Sequence, residues 1–302
     1  MKGYRRPFWS YPLFQVPAMA LGLCLILALL FALLGWGRPQ VSVAIALDLS
    51  GSTYNNNTSA FNTPGTVVYE QIESVSAYLQ QNSELSSPNQ VKVLGFGNEV
   101  LPLTNQFQGN SDSVLEELNR SLEEDNLPAA IAPDGTNVNL AIKEGIRLLN
   151  QVSQGCRELL LVTDGGGSVS PEVIRNAISK KVRINAIVIN EEAPELLAAT
   201  AASRGVYFSD RIGNLETLFI SNFFNRINSN LKWIIFWLSL GWVALTWMLV
   251  MPIDRWLLQG LFNLPFDLSG KLALSQALFW TTATVFFIIR LLGWGFNFIP
   301  SC

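Results

Sequence analysis

Apolar residues along the chain fall into runs of two kinds. Three runs are long and carry no charge. Pro7 to Gly37 has no charged side chain, and Ala18 to Trp36 within it is long enough to cross a bilayer core of about 30 Å at about 1.5 Å per residue. Trp233 to Ile253 is the second, opened by Lys232 and closed by Asp254 and Arg255; Leu272 to Ile289 is the third, bounded by Lys271 and Arg290. Tryptophans at 233, 237, 242 and 247 with flanking bases suit anchoring at a membrane interface. The remaining apolar runs are short: Val41 to Leu47, Val91 to Phe96, Leu159 to Val162 and Ile184 to Ile189. Their lack of alternation is what strands covered by helices on both faces require. Between them lie helical patterns at Val67 to Leu79, Val138 to Leu149 and Pro171 to Lys180, the last with proline in its first turn, followed by Glu191 to Ser203 and Leu215 to Ile227. This alternation predicts an α/β fold, a doubly wound and mostly parallel sheet, accompanied by three transmembrane helices.

The expected organisation is an N-terminal cytoplasmic tail and transmembrane anchor over residues 1–40, an α/β domain over 41–230, and two C-terminal transmembrane helices with a short connecting loop over 231–302. A cleaved signal peptide competes for the first run, since Lys2, Arg5 and Arg6 form a positive leader. Against it, Gly35-Trp-Gly-Arg38 offers no small-residue cleavage site. Buried core helices compete for the other two runs, but the α/β domain has no room for about forty more apolar residues. Three bases precede the first span and only Arg38 immediately follows it. The positive-inside bias therefore puts the N-terminus in the cytoplasm, the α/β domain outside it, Asp254 to Lys271 inside and Cys302 outside.

Composition sharpens the division. Of 302 residues 49% are hydrophobic and 14% charged, with mean hydropathy +0.29, too apolar for an ordinary soluble enzyme of this length. Val41 to Asn230 carries 12 basic and 21 acidic residues, a net of −9, while the flanks carry 8 and 2, a net of +6. An acidic domain between basic, apolar ends has the wrong sign for nucleic acid. The chain has no histidine, which excludes Ser-His-Asp and Cys-His catalysis and His-bearing zinc sites. Cys24, Cys156 and Cys302 are too few and too scattered for a disulfide framework or a Cys-rich metal site, and read as packing residues without a redox role. Leu23 argues against a lipoprotein anchor at Cys24. Residues 52–65, rich in Asn, Ser and Thr, lack the apolar surface to pack alone and read as a surface loop.

Chemistry concentrates where strands should end. Asp48-Leu-Ser-Gly-Ser52 leaves the first strand with one carboxylate and two hydroxyls; Thr136 opens a helix in Asp134-Gly-Thr-Asn137; Asp164 ends another strand in Leu161-Val-Thr-Asp-Gly165. In a parallel sheet these five oxygens, on three βα-type junctions, converge at one edge, and oxygen-only ligands suit a hard divalent cation. Each also has a plain structural reading: turn residues for the serines, a helix cap for Thr136, an ordinary turn for Asp164.

Taken together and in order, these residues resemble the von Willebrand factor A (VWA) domain and its metal-ion-dependent adhesion site, D-x-S-x-S followed by a threonine and an aspartate. Asp48, Ser50, Ser52, Thr136 and Asp164 match every position, over about 190 residues. The resemblance implies Mg²⁺, with Mn²⁺ or Ca²⁺ as alternatives, bound directly or through water by those five residues. It also implies an open coordination position that a partner protein fills with a Glu or Asp carboxylate. The residue after Ser52 is Thr53 where bacterial relatives often have methionine. One leading span, an A domain and trailing spans resemble, more loosely, bacterial Bat-like aerotolerance proteins, some associated with MoxR-type AAA+ ATPases.

The function this implies is a membrane-anchored, non-enzymatic module that binds a partner protein through a metal, as adaptor or assembly factor. One alternative is a phosphoryl-transfer hydrolase of the haloacid-dehalogenase type. That chemistry needs a second aspartate two residues after the first, where Ser50 stands, and no Gly-x-Ser-x-Gly elbow or Walker loop is present. The other is an accessory subunit of a channel or transporter, which intramembrane charge would favour and the neutral spans do not.

Overall fold

In the computed structural model, residues 8–54, 61–123, 127–131, 134–153, 155–165 and 167–292 are described. The Asn-rich segment 55–60 and Cys302 lie outside the described residues. Two compact units divide the described residues: Pro39–Asn228, and a helical unit formed by residues 8–38 and 229–292.

The larger unit is built on strands β1 (Val41–Asp48), β2 (Gln90–Phe96), β3 (Val100–Pro102), β4 (Cys156–Thr163), β5 (Val182–Ile189) and β6 (Tyr207–Asp210). They form one sheet in the order β3-β2-β1-β4-β5-β6, parallel throughout except for β3. Every residue of β1 is buried, because both edges are paired and both faces covered. Side-chain alternation sends Val43, Ile45 and Leu47 to one core and Ala44 and Ala46 to the other. The first core is closed by helix α2 (Val67–Ser83), by α3 (Ser111–Leu122) beyond the β2–β3 turn, and by the helical residues 215–227. The second is closed by α5 (Val138–Leu149), α6 (Pro171–Ser179) and α7 (Pro194–Ala202); a four-residue turn, α4 (Leu127–Ala130), precedes α5. Small residues let α5 lie close to the sheet: a Cβ on Gly145 would stand 2.5 Å from Leu159 Cδ1.

Residues 215–227 are helical as the sequence predicts, but with a wide turn over Leu218–Phe224 in which Asn225 N–H donates to the Ile220 carbonyl, five residues back. That register turns Phe219, Phe223 and Phe224 inward together, where Phe223 and Phe224 meet the fully buried ring of Tyr78 at centroid distances of 6.2 and 5.2 Å. Under the same face Glu158 is buried against Arg183, 3.2 Å away, and accepts from Asn185 Nδ2 at 2.9 Å.

The helical unit contains α1 (Pro12–Leu34), a helix over Leu231–Met248 that continues to Leu261, and a helix over Phe266–Leu292. All three are long and apolar enough to cross a membrane. At about 1.5 Å per residue even α1 spans roughly 35 Å. The connecting loop expected over Asp254 to Lys271 is mostly helix, and the non-helical connection shrinks to residues 262–265. Asp254 and Arg255 interrupt the apolar run without stopping the helix, which carries on as a π-helical segment after Pro252. The C-terminal end of α1 is capped from outside the helix: Asn230 Nδ2 donates to the Phe31 and Trp36 carbonyls at 2.6 and 3.0 Å. Trp247 Nε1 donates to Thr281 Oγ1 at 2.9 Å, a polar pin between the last two helices.

One reading of the cysteines is corrected. Cys24 is a buried free thiol as a packing residue should be, but Cys156 is disulfide-bonded. Its place at the start of an apolar strand gives no sign of that role, because burial is common to packing and bridged cysteines alike.

Candidate metal centre

The site lies where β1 and β4 end side by side. From this central pair the strand connections run outward in opposite directions, which leaves a crevice at the carboxyl edge of the sheet. Asp48 is the last residue of β1 and falls on the Ala44 and Ala46 face, and Thr163, the last residue of β4, falls on the same face. Thr163 Oγ1 donates to Asp48 Oδ2 at 2.5 Å, and Ser50 N–H donates to Asp48 Oδ1 at 3.0 Å. Both oxygens of this fully buried carboxylate are therefore fixed. The chain then makes a tight turn, Gly51–Thr53, closed by Thr53 Oγ1 donating to the Ser50 carbonyl at 2.7 Å. The turn brings Ser50 Oγ and Ser52 Oγ to 3.1 Å, and Ser52 Oγ donates to Asp164 Oδ1 at 3.0 Å. Four of the five sequence-derived residues are thus linked in one run, Asp48 to Ser50 through the Ser50 backbone N–H, and Ser50 to Ser52 to Asp164 through side-chain oxygens.

Thr136 is placed differently from the sequence expectation. It does not follow a strand but sits in the connection from α4 into α5, and no described hydrogen bond joins it to the other four. It reaches the same edge by another route: Asn137 N–H donates to the Gly97 carbonyl at 2.7 Å, and Gly97 follows Phe96, the β2 partner of Asp48. Nor is Thr136 the cap of α5. That role belongs to Asn137, whose Oδ1 accepts from Leu140 N–H at 3.0 Å. Asp134 is exposed, the solvated surface carboxylate expected of it.

Sequence reasoning missed Thr163 and gave Thr53 no task. A hydroxyl placed directly before Asp164, on a buried strand and in phase with Asp48, is the signal that identifies Thr163 once the strand register is known.

The electrostatics suit a cation. Burial raises the Asp48 carboxyl above its ordinary value and the negative charge of Asp164 adds to the rise, while the bonds from Ser50 and Thr163 pull it down. Asp164 is also raised, first by burial, with Glu191 adding to it and Ser52 opposing. Carboxylates that resist ionisation in isolation are stabilised as anions by a nearby metal. Among the described residues no group of three or more acidic, Cys or His side chains is placed to hold a metal ion. Two carboxylates with neighbouring hydroxyls are the oxygen-only donor set that suits a hard divalent cation.

These shifts fix a pH dependence. Because Asp48 and Asp164 bind protons more tightly folded than unfolded, the native state carries more protons between about pH 4 and the raised native values. Stability of the metal-free protein therefore rises as pH falls through the raised native values toward the ordinary carboxylate range, and buried Glu158, also raised by desolvation, adds in the same sense. Glu117, Glu144 and Asp210 are lowered and act in the opposite sense, but below about pH 4. With no histidine in the chain, no side chain of ordinary pKa titrates between 5 and 7. Melting temperatures in EDTA, followed from pH 7 down to about pH 4, should climb as pH falls through those raised values, and saturating Mg²⁺ should flatten or reverse the trend; a fall throughout that range in EDTA would contradict this electrostatic reading.

No protein-family model matches the chain, and no curated protein sequence does. Solved structures do. A von Willebrand factor type A structure from Catenulispora acidiphila is similar at TM-score 0.50 and 15% identity, over 62% of this chain and 42% of that one. The fold is that of a VWA domain. An aerotolerance-related membrane protein from Bacteroides fragilis is similar over 60% of this chain and 97% of its own, at TM-score 0.46 and 15% identity. BatB from Bacteroides thetaiotaomicron is similar over 59% and 95%, at TM-score 0.43 and 16% identity. At such identities the likeness bears on the fold alone. The VWA fold here has four of its candidate metal residues, Asp48, Ser50, Ser52 and Asp164, at the carboxyl ends of the central strand pair.

Proposed function

We propose that this protein is a membrane-anchored VWA domain that holds a partner protein through a divalent cation, Mg²⁺ or Mn²⁺ before Ca²⁺, and serves as an adaptor or assembly factor in a membrane complex. The observation that carries the reading is the hydrogen-bonded run Asp48, Ser50, Ser52, Asp164 at the sheet edge. An ion there keeps net electrophilic character, since two carboxylates do no more than balance it. The acidic domain around it repels other acids, so the metal is the one point where a Glu or Asp of a partner is attracted.

The reading is non-enzymatic. Ser50 occupies the position where a phosphoryl-transfer mechanism would need a second aspartate, and its hydroxyl is engaged with Ser52. The helices serve as anchors and assembly surfaces, with the VWA domain outside the cytoplasm. An AAA+ ATPase in the cytoplasm would then reach only the N-terminal tail or the connecting segment Asp254 to Lys271.

Crosslinked pull-downs from native membranes test the function. A partner captured in Mg²⁺ and lost both in EDTA and on Asp48→Ala is the expected result; partners retained throughout would place the contacts elsewhere. Topology is tested separately by single cysteines introduced at Asn55 to Asn57, which an impermeant thiol reagent should label on intact cells. Labelling only after permeabilisation would reverse the orientation.

A further inference from the structure

The fifth oxygen of the candidate site, on Thr136, is not bonded to the other four, so some other contact must set its separation from Asp164. Two residues beyond Thr136, α5 begins, and its first turn is tied to the segment that follows Asp164. Asn139 Nδ2 donates to the Ser168 carbonyl at 2.5 Å, and Asn139 Oδ1 accepts from Ser170 N–H at 2.8 Å. The intervening N–H, of Val169, donates to Glu195 Oε2 of α7 at 2.9 Å. Three successive residues of one loop are thus held by side chains from two helices. Gly167 completes the contact, since a Cβ there would lie 2.5 Å from Val138 Cγ2. On its other side the same turn is fixed to β2 through Asn137 N–H and the Gly97 carbonyl.

We infer that Asn139 is a positioning residue for the metal centre: by bridging α5 to the Ser168–Ser170 backbone it holds Thr136 and Asp164 at a set separation. The inference rests on the metal reading above. Asn is suited to the task because one amide offers both a donor and an acceptor, which the backbone of an extended loop needs. Without it the loop keeps, of these three hydrogen bonds, the one to Glu195, and the rest of its ordering must be supplied when the ion binds, so affinity drops while the sheet is untouched.

The test is Mn²⁺ affinity of the full-length protein in detergent, read from the electron paramagnetic resonance signal of free Mn²⁺. It compares wild type, Asn139→Ala, Thr136→Ala and the double variant, with melting temperatures in EDTA alongside. Asn139→Ala should bind about tenfold more weakly with a metal-free melting temperature close to wild type. In the Thr136→Ala background the same change should cost less than about twofold, because two residues acting through one geometry are not additive. Equal affinity of wild type and Asn139→Ala would overturn the inference and leave the metal site standing. So would a tenfold loss that is the same in both backgrounds, or one matched by a fall in metal-free stability. A wild type that binds no Mn²⁺ would remove the metal reading itself, and the inference with it.

Discussion

Replacing Asp48 with alanine is expected to abolish divalent-cation binding while leaving the sheet folded. Asp48 is the fully buried carboxylate at the base of the site, and both of its oxygens are oriented, by Ser50 N–H and by the Thr163 hydroxyl. Removing one unit of negative charge about 4 Å from a cation, at an effective dielectric near 20, costs roughly 4 kcal/mol per unit of cation charge, about 1,000-fold in affinity for each unit. The same change relieves the metal-free protein of a carboxylate that burial disfavours, and leaves Ser50 N–H without its side-chain acceptor, at about 1–3 kcal/mol, while the Thr163 hydroxyl keeps the Gly165 carbonyl 3.1 Å away. The two effects oppose one another, so circular dichroism in EDTA should match wild type. Asp48→Asn, which keeps an acceptor of the same shape, should lose the metal with a smaller effect on stability. Titration calorimetry with Mn²⁺ decides the matter: an affinity within about threefold of wild type would remove Asp48 from the site.

The second large effect is structural. Phe223→Ala should destabilise the VWA unit by about 3–5 kcal/mol, the range for emptying a phenylalanine site in a close-packed core. Phe223 is fully buried against Tyr78, at the wide turn that aims three phenylalanines at one core. All nine tryptophans lie outside Pro39–Asn228, so indole fluorescence reports on the helical unit and not on this one. Amide exchange resolved by peptide is the suitable measurement. Protection of β1 and β4 should fall by about 100-fold or more, since each 1.4 kcal/mol is a factor of ten, while the helix over Phe266–Leu292 is unchanged. Unchanged protection in β1 would mean that residues 215–227 are not part of the cooperative fold.

The central strands are legible in the sequence because they are buried on both faces. An eight-residue run such as β1 has no polar position to blur it. The edges are not: β3 has three residues and includes Pro102, and β6 ends in Ser209 and Asp210, so neither presents enough apolar surface to stand out from a loop. Four site residues could be placed because strand ends are fixed by the strands themselves. Thr136 was harder, since its position depends on α3 and α4, which the apolar pattern does not announce, and on side-chain clamps such as Asn139. Thr163 escaped because its role rests on pairing with a residue 115 positions away. The loop anticipated after the second span failed for a related reason: two charged residues end a hydrophobic run without ending the backbone hydrogen bonding of a helix.

The most direct test of the account is equilibrium dialysis of the full-length protein in detergent against Mn²⁺, with and without competing Mg²⁺. The account predicts one bound ion per chain, displaced by Mg²⁺ and absent from a Ser50→Ala, Ser52→Ala double variant that still melts cooperatively in EDTA. A wild type that retains no Mn²⁺, or a bound ion that survives loss of both serines, would contradict it.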